Sequence, residues 1–88
     1  PDEARHAFTT LRAPVCVVEA FLDIETEISV LVARRADGAS VTYPPSRNLH
    51  TDGVLTWAVT PSGVDAELEQ RARALASAIA AQLGIVGL

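Results

Sequence analysis

Glu27 is a carboxylate that could bind a ligand, and His50 is one of the two histidines in the chain. The ribose of a nucleotide presents two adjacent hydroxyl donors, and a carboxylate with two acceptor oxygens can take both. Glu27 lies eight residues after Glu19 in a stretch that alternates apolar and polar residues, and His50 lies in the polar stretch 48–52. From the pattern alone, the simpler interpretation is a solvated carboxylate on an amphipathic strand and a solvated imidazole in a loop.

The segment before Glu27 has the composition of an adenine contact. Adenine is recognised in many nucleotide sites by main-chain groups of an extended segment, with apolar side chains on either side of the ring. Four consecutive residues fit this description and are candidate ATP contacts: Glu19, Ala20, Phe21 and Leu22.

Charge and composition restrict what the chain can bind by itself. The net charge is −4, and all seven basic residues are arginines. The chain offers no basic patch for nucleic acid or an anionic membrane surface. It also lacks the lysine and the glycine-rich loop that usually cradle phosphates. We therefore expect a nucleotide to be held here by its base and sugar.

Other reactive side chains do not form a recognisable centre. His50 and Asp52 are two residues apart without a third ligand, which is weak evidence for a metal. Cys16 lies in an apolar run and is predicted to be a small buried hydrophobe, and His6 is predicted to be a surface residue. We assign no catalytic residue and no metal ligand.

The first half of the chain predicts a helix followed by strands. Asp2 can cap a short helix, and the apolar run 15–18 is typical of a strand covered on both faces. Residues 27–34 alternate as one half-buried strand. Asp37-Gly38 is a favoured two-residue hairpin turn, so residues 39–43 are expected to return antiparallel to that strand.

The second half predicts a loop, another strand and a long helix. Residues 48–52 are interpreted as a polar loop, and the turn at Asp52-Gly53 leads into an alternating strand at 55–60. A helix is predicted to begin at Asp65 and to end at Gly84. Its apolar stripe, expected to pack on the sheet, consists of Leu68, Ala72, Leu75, Ile79 and Leu83.

Together these elements predict an α+β fold, an antiparallel sheet with a long packed helix. Residues 85–88 are typical of a further strand, whose partner sheet is expected to lie outside the chain.

Five short motifs follow one another in a fixed order. They are Glu19-Ala-Phe-Leu22, Glu27-Ile-Ser29, Asp37-Gly38, Tyr43-Pro44 and Asn48-Leu-His50-Thr-Asp52-Gly53. Their order and spacing resemble the nucleotide-binding middle of the ATP-grasp ligases. The resemblance is greatest to the 5-(carboxyamino)imidazole ribonucleotide synthase family of purine biosynthesis, the ATPase subunit of phosphoribosylaminoimidazole carboxylase. It extends over nearly all 88 residues.

The resemblance implies a role for the motif residues. In that family, the segment that matches Glu19 to Leu22 contacts adenine, and the residue that matches Glu27 holds the ribose. The family's Asn-x-His motif places His50 in the ATP site, with Asn48 as a supporting residue. The implied reaction carboxylates 5-aminoimidazole ribonucleotide with ATP and bicarbonate. The Mg²⁺ ligands are expected outside this segment, so the 88 residues alone are expected to be inactive.

The same resemblance implies a domain division and a setting. Residues 1–22 would form the end of the nucleotide lid subdomain and its hinge, and residues 23–88 the first part of the C-terminal core subdomain. The parent enzyme would be a cytoplasmic bacterial ligase without nucleic-acid or membrane partners, and a homodimer is left open.

Two alternatives remain at this point. Formate-dependent glycinamide ribonucleotide transformylase is an ATP-grasp enzyme with a similar hinge and acidic strand, but its loop usually carries a glutamine-glutamate pair before Asp-Gly. The other alternative is a non-catalytic binding or dimerisation module that has kept the fold.

Overall fold

The chain forms two helices and five short strands in a computed structural model that describes residues 1–88. The strands belong to two antiparallel sheets, one of three strands in the order β1-β4-β5 and one formed by β2 and β3. This arrangement confirms the α+β prediction. The elements are α1 (Asp2–Leu11), β1 (Glu27–Ser29), β2 (Val32–Arg34), β3 (Ser40–Thr42), β4 (Ser46–Thr51), β5 (Val54–Val59) and α2 (Ala66–Gln82).

The prediction of a single strand at residues 27–34 is wrong, because this segment forms two strands that belong to different sheets. β1 pairs with β4, whereas β2 forms the expected hairpin with β3. The turn of this hairpin is longer than the expected two residues, because the Arg35 N–H donates to the Ala39 carbonyl and residues 36–38 form the loop. The hairpin pairing ends where the Tyr43 N–H donates to the Leu31 carbonyl at 3.0 Å. The next two residues are prolines, which have no N–H to continue the ladder. The chain before Leu31 therefore takes a different partner, β4.

The prediction of a polar loop at residues 48–52 is also wrong, because most of these residues belong to β4. Alternate residues of β4 are polar on one face of an open sheet, and a solvated strand face resembles a loop in composition. The turn between β4 and β5 is confirmed. Asp52 and Gly53 both have positive φ, 51° and 76°, as a tight two-residue hairpin requires.

Both ends of α2 carry the local signals that the sequence predicts. The Asp65 Oδ1 accepts a hydrogen bond from the Leu68 N–H at 2.9 Å. At the other end, Gly84 has φ 65°, and its N–H donates to the Ala81 carbonyl at 3.1 Å. The Ile85 N–H donates to the Ala80 carbonyl at 3.0 Å, which completes a Schellman motif.

The face that α2 turns toward the β2–β3 hairpin shares only Ala72 with the predicted apolar stripe. Ala80 is buried, and Ala72 and Ala76 are half-buried. The large stripe residues stay exposed, and Leu75 keeps 63 % of its surface accessible. Small side chains let the helix approach the hairpin closely, and the leucines have no neighbouring layer within these residues.

The N-terminal part differs from two expectations. Helix α1 is confirmed, but Asp2 lies inside its first turn, and the N-cap position is Pro1 without a side-chain hydrogen bond. Residues 15–18 form no strand, and Val17 is 82 % exposed because no neighbouring strand pairs with this segment. Cys16 is half-buried rather than buried.

The C-terminal segment finds a partner inside the chain, contrary to expectation. Gly87 and Arg34 exchange two antiparallel backbone hydrogen bonds of 2.8 Å each. The Arg34 guanidinium also donates to the Ile85 carbonyl at 2.9 Å. Residues 85–88 therefore begin to pair with β2.

Little of the molecule is enclosed. Only three of the 88 residues are buried, namely Pro45, Ser62 and Ala80. Neither helix has the length and apolar content that a membrane crossing requires.

Candidate functional site

The polar face of the three-stranded sheet brings together side chains that are far apart in sequence. Glu27 of β1 lies directly opposite Asn48 of β4, and Ser29 lies opposite Ser46. Side chains two apart on a strand share a face, so His50 lies diagonally across from Glu27. The intervening residues Ile28 and Leu49 fall on the other face.

Glu27 and His50 are in direct contact. The His50 Nδ1 lies 2.8 Å from the Glu27 Oε2. The two side chains are 48 % and 35 % exposed, so the contact contributes at most about 1 kcal/mol to stability. Because Oε2 makes this contact, Oε1 remains available as an acceptor for a ligand hydroxyl.

A β-bulge in β5 lies opposite His50. The pairing of β4 with β5 shifts between Leu49, which pairs with Trp57, and His50, which pairs with Leu55. Thr56 is therefore the extra residue, and its hydroxyl donates to the Leu49 carbonyl at 2.9 Å. Bulges bend a strand and redirect its side chains. The Thr56 hydroxyl thus satisfies a carbonyl next to the residue that contacts Glu27.

Asn48 links the two strands beside Glu27. Its Nδ2 donates to the Ser29 Oγ at 2.6 Å. Its Oδ1 is shielded from solvent and has no hydrogen-bond partner. On the other side of β4, Asn48 lies opposite Ala58, whose small side chain leaves this part of the face open.

These residues line a depression of about 450 Å³ on the sheet. Its walls are residues 24–27, where the chain enters β1, and residues 47–50 of β4. Arg47 supplies a positive charge to this wall. The opening is large enough for one end of a nucleotide and contains both donors and acceptors.

The segment predicted to contact adenine, residues 19–22, lies outside this depression. Glu19, Ala20 and Phe21 are exposed on an irregular stretch, and Phe21 is 98 % accessible. Leu22 lines an adjoining depression of about 620 Å³ beside the start of α2. The structure therefore brings Glu27, Asn48 and His50 together and leaves residues 19–21 apart from them.

Metal-binding groups are not clustered. No three His, Cys, Asp or Glu side chains among the 88 residues come close enough to hold an ion. Asp52 occupies the turn after β4, and its backbone has φ 51°. Any divalent cation that accompanies a nucleotide would need ligands from elsewhere.

Sequence reasoning missed three residues in or beside the site, Ser29, Arg47 and Thr56. Ser29 follows from Glu27 by strand alternation, once β1 and β4 are known to pair. Arg47 is next to the Asn-x-His motif, but the two prolines before it favour an extended exit from the hairpin rather than a place in a site. No sequence signal marks Thr56, because the bulge is defined only by the register of β4 and β5.

The fold belongs to a known class of proteins. The profile of the ATP-grasp domain matches residues 1–88, and the chain is a member of the ATP-grasp family.

Within that family, most of the similar proteins share one name. The chain is 38 % identical over 73 residues to N5-carboxyaminoimidazole ribonucleotide synthase of Escherichia coli K12, a match that covers 83 % of the chain and 21 % of that protein. It is 29 % identical over 85 residues to the Bacillus subtilis synthase, a match that covers 97 % of the chain and 22 % of that protein.

Solved structures agree with this placement. The N5-carboxyaminoimidazole ribonucleotide synthetase of Thermus thermophilus superposes with a TM-score of 0.79 at 29 % identity, over 93 % of the chain and 23 % of that structure. The ADP complex of a synthetase of the same name gives a TM-score of 0.72 at 33 % identity, over 76 % of the chain and 18 % of that structure. The chain thus spans about a fifth of the length of the relatives it matches.

Proposed function

We propose that this chain is the ribose-binding part of an ATP-grasp ligase that carboxylates 5-aminoimidazole ribonucleotide with ATP and bicarbonate in purine biosynthesis. The observation that carries the proposal is the Glu27–His50 contact, 2.8 Å long, on the polar face of β1 and β4. It unites the acidic strand and the Asn-x-His motif in one depression. The names of the similar proteins support the choice of substrates.

The chain's own residues would act by binding. The Glu27 carboxylate accepts the ribose hydroxyls, and His50 holds that carboxylate in place through Oε2. The segment formed by Glu19, Ala20, Phe21 and Leu22 contacts adenine when it folds over the depression. Phosphoryl transfer depends mainly on positioning and charge neutralisation, so a fixed sugar contributes to the correct placement of the γ-phosphate.

The triphosphate and its Mg²⁺ fit these residues poorly. The chain has no lysine, and its acidic side chains form no cluster that could hold a cation. Mg²⁺ would neutralise the phosphate charge in the reaction, with ligands from outside residues 1–88. We assign no catalytic residue within this chain.

A substrate assay of the full-length protein tests the proposal. ADP release is measured with ATP and 5-aminoimidazole ribonucleotide, with and without bicarbonate. We expect ADP release that requires both the ribonucleotide and bicarbonate. ADP release that requires formate and glycinamide ribonucleotide instead would identify the transformylase, and a protein that binds no ATP would be a non-catalytic module.

The setting of the enzyme is part of the same proposal. The bacterial origin of the similar synthases supports a bacterial protein that works in the cytoplasm. A homodimer is the proposed assembly, and light scattering of the full-length protein measures it directly.

A further inference from the structure

The strand that carries Glu27 is short and weakly held. β1 has three residues, and Glu27 is the first of them, directly after an exposed stretch without regular structure. Strand ends fray because their hydrogen bonds open locally. A carboxylate at such an end needs an additional restraint if it is to present its oxygens in one geometry.

The bond between Asn48 and Ser29 supplies a restraint at this place. Asn48 lies opposite Glu27, and its Nδ2 reaches diagonally to the Ser29 Oγ, 2.6 Å away. It is the one side-chain hydrogen bond between β1 and β4 apart from the Glu27–His50 contact. The two contacts lie on the same face, on either side of the Glu27–Asn48 pair.

Asn48 is a poor choice for stability alone. Its Oδ1 is buried without a donor, and an unsatisfied buried carbonyl opposes part of what the Nδ2 bond contributes. An apolar side chain at this position would avoid that cost. The amide therefore has more effect on the geometry of β1 than on the free energy of folding.

We propose that Ser29 and Asn48 form a positioning pair that holds Glu27 in register with His50 and thereby determines how strongly the site discriminates a ribonucleotide from a dideoxyribonucleotide. The proposal rests on the proposed function, in which Glu27 binds the ribose. Neither residue of the pair needs to touch the nucleotide, because the pair acts through Glu27.

The test compares two nucleotides in the full-length protein. The KM for ATP and the KM for 2′,3′-dideoxy-ATP are measured for the wild type and for Ser29→Ala, Asn48→Ala and the double variant. We expect each single variant to raise the KM for ATP roughly three- to tenfold, as the loss of one hydrogen bond would. The KM for the dideoxynucleotide and kcat should change little, and the double variant should be no worse than either single variant.

Two further variants separate positioning from general destabilisation. Ser46→Ala removes a hydroxyl from the same sheet, where the Ser46 Oγ lies 2.7 Å from the Thr60 Oγ1. We expect it to leave the ratio of the two KM values unchanged. Ser29→Thr keeps the hydroxyl and should retain the wild-type ratio. If Asn48→Ala does not fold, the Ser29 variants alone test the proposal, because Ser29 is exposed and its substitution should not prevent folding.

The outcomes distinguish this proposal from the one on which it rests. An equal loss for both nucleotides in Ser29→Ala and Asn48→Ala would overturn the positioning role. If the wild type does not discriminate the two nucleotides, or if Glu27→Ala leaves the discrimination intact, the ribose role of Glu27 fails first. If Glu27→Ala abolishes discrimination while Ser29→Ala and Asn48→Ala do not, only the positioning pair is refuted.

Discussion

The chemistry of the candidate site depends on single atoms of Glu27. One carboxylate oxygen lies 2.8 Å from the His50 Nδ1, and the other has no partner within the chain. About half of the side chain is exposed, so a ligand hydroxyl can reach it without displacing a buried group. A site prepared in this way exchanges water for ligand hydroxyls at little conformational cost.

At this scale, the first prediction concerns Glu27→Ala in the full-length enzyme. The KM for ATP should rise roughly ten- to a hundredfold, the equivalent of one or two charge-assisted hydrogen bonds. Steady-state kinetics at saturating bicarbonate and ribonucleotide measure this change. Glu67→Ala, on the exposed first turn of α2, is the matched carboxylate control and should leave the KM unchanged. An unaltered KM in Glu27→Ala would remove Glu27 from the site.

The sheet places a bulge of β5 beside a candidate site residue, His50. Thr56 is inserted opposite the Leu49–His50 step, and its hydroxyl binds the Leu49 carbonyl at 2.9 Å. Without a donor at this point, the ladder would favour a regular register. A one-residue slip of β5 would change which of its side chains share a face with His50.

Thr56→Val tests the importance of that hydroxyl with almost no change in shape. We expect the free energy of unfolding to fall by about 1 kcal/mol, the contribution of one hydrogen bond, and the KM for ATP to rise as His50 moves. Denaturant unfolding and kinetics of the full-length protein measure the two effects. Thr42→Val in β3, where the hydroxyl makes no side-chain hydrogen bond, should change neither quantity. A Thr56→Val protein with wild-type values of both would show that the bulge does not depend on the hydroxyl.

Helix α2 provides a prediction about stability that is separate from the site. Asp65 caps its N-terminus through a 2.9 Å bond to the Leu68 N–H. Asp65→Ala should lower the free energy of unfolding by about 1 kcal/mol, whereas Asp65→Asn, which can still cap, should cost much less. Thermal unfolding of the full-length protein compares the two variants. Equal losses would mean that the charge near the helix dipole matters more than the cap.

Across the whole molecule, exposed apolar surface is the dominant feature. Three residues are buried, whereas Phe21, Trp57 and Leu75 are each at least 63 % accessible. Apolar burial is the main favourable term in folding, and a core of this size leaves little to offset the conformational entropy of the chain. The long apolar stripe of α2 and the Trp57 face of the sheet both lack a covering layer among these residues.

The isolated 88-residue chain should therefore be less stable than the same residues in the full-length protein. We expect a broad thermal transition and binding of a hydrophobic dye, with no ADP release from ATP. Calorimetry and dye fluorescence of the two proteins, side by side, check this expectation. A sharp transition and weak dye binding by the isolated chain would show that the exposed surface is compatible with independent folding.

Local chain chemistry alone was enough to determine several parts of this protein. The Asp37-Gly38 and Asp52-Gly53 turns, the Asp65 cap and the Gly84 end of α2 depend on residues that are neighbours in sequence. The order of the motifs was also sufficient to indicate the ATP-grasp family and to single out Glu27, Asn48 and His50. These features do not depend on which distant strand the chain meets.

Only the tertiary structure decided which elements pair and which faces are covered. Residues 27–34 alternate as one strand, yet the two prolines after Tyr43 end the hairpin ladder and assign β1 to β4. The polar composition of residues 48–51 fits a loop and a solvated strand equally. The side of α2 that packs on the β2–β3 hairpin is the side whose small residues allow a close approach. Alternation and composition record the faces of an element but not its partner, so the Glu27–His50 contact and the Ser29–Asn48 bond required the register of the folded sheet.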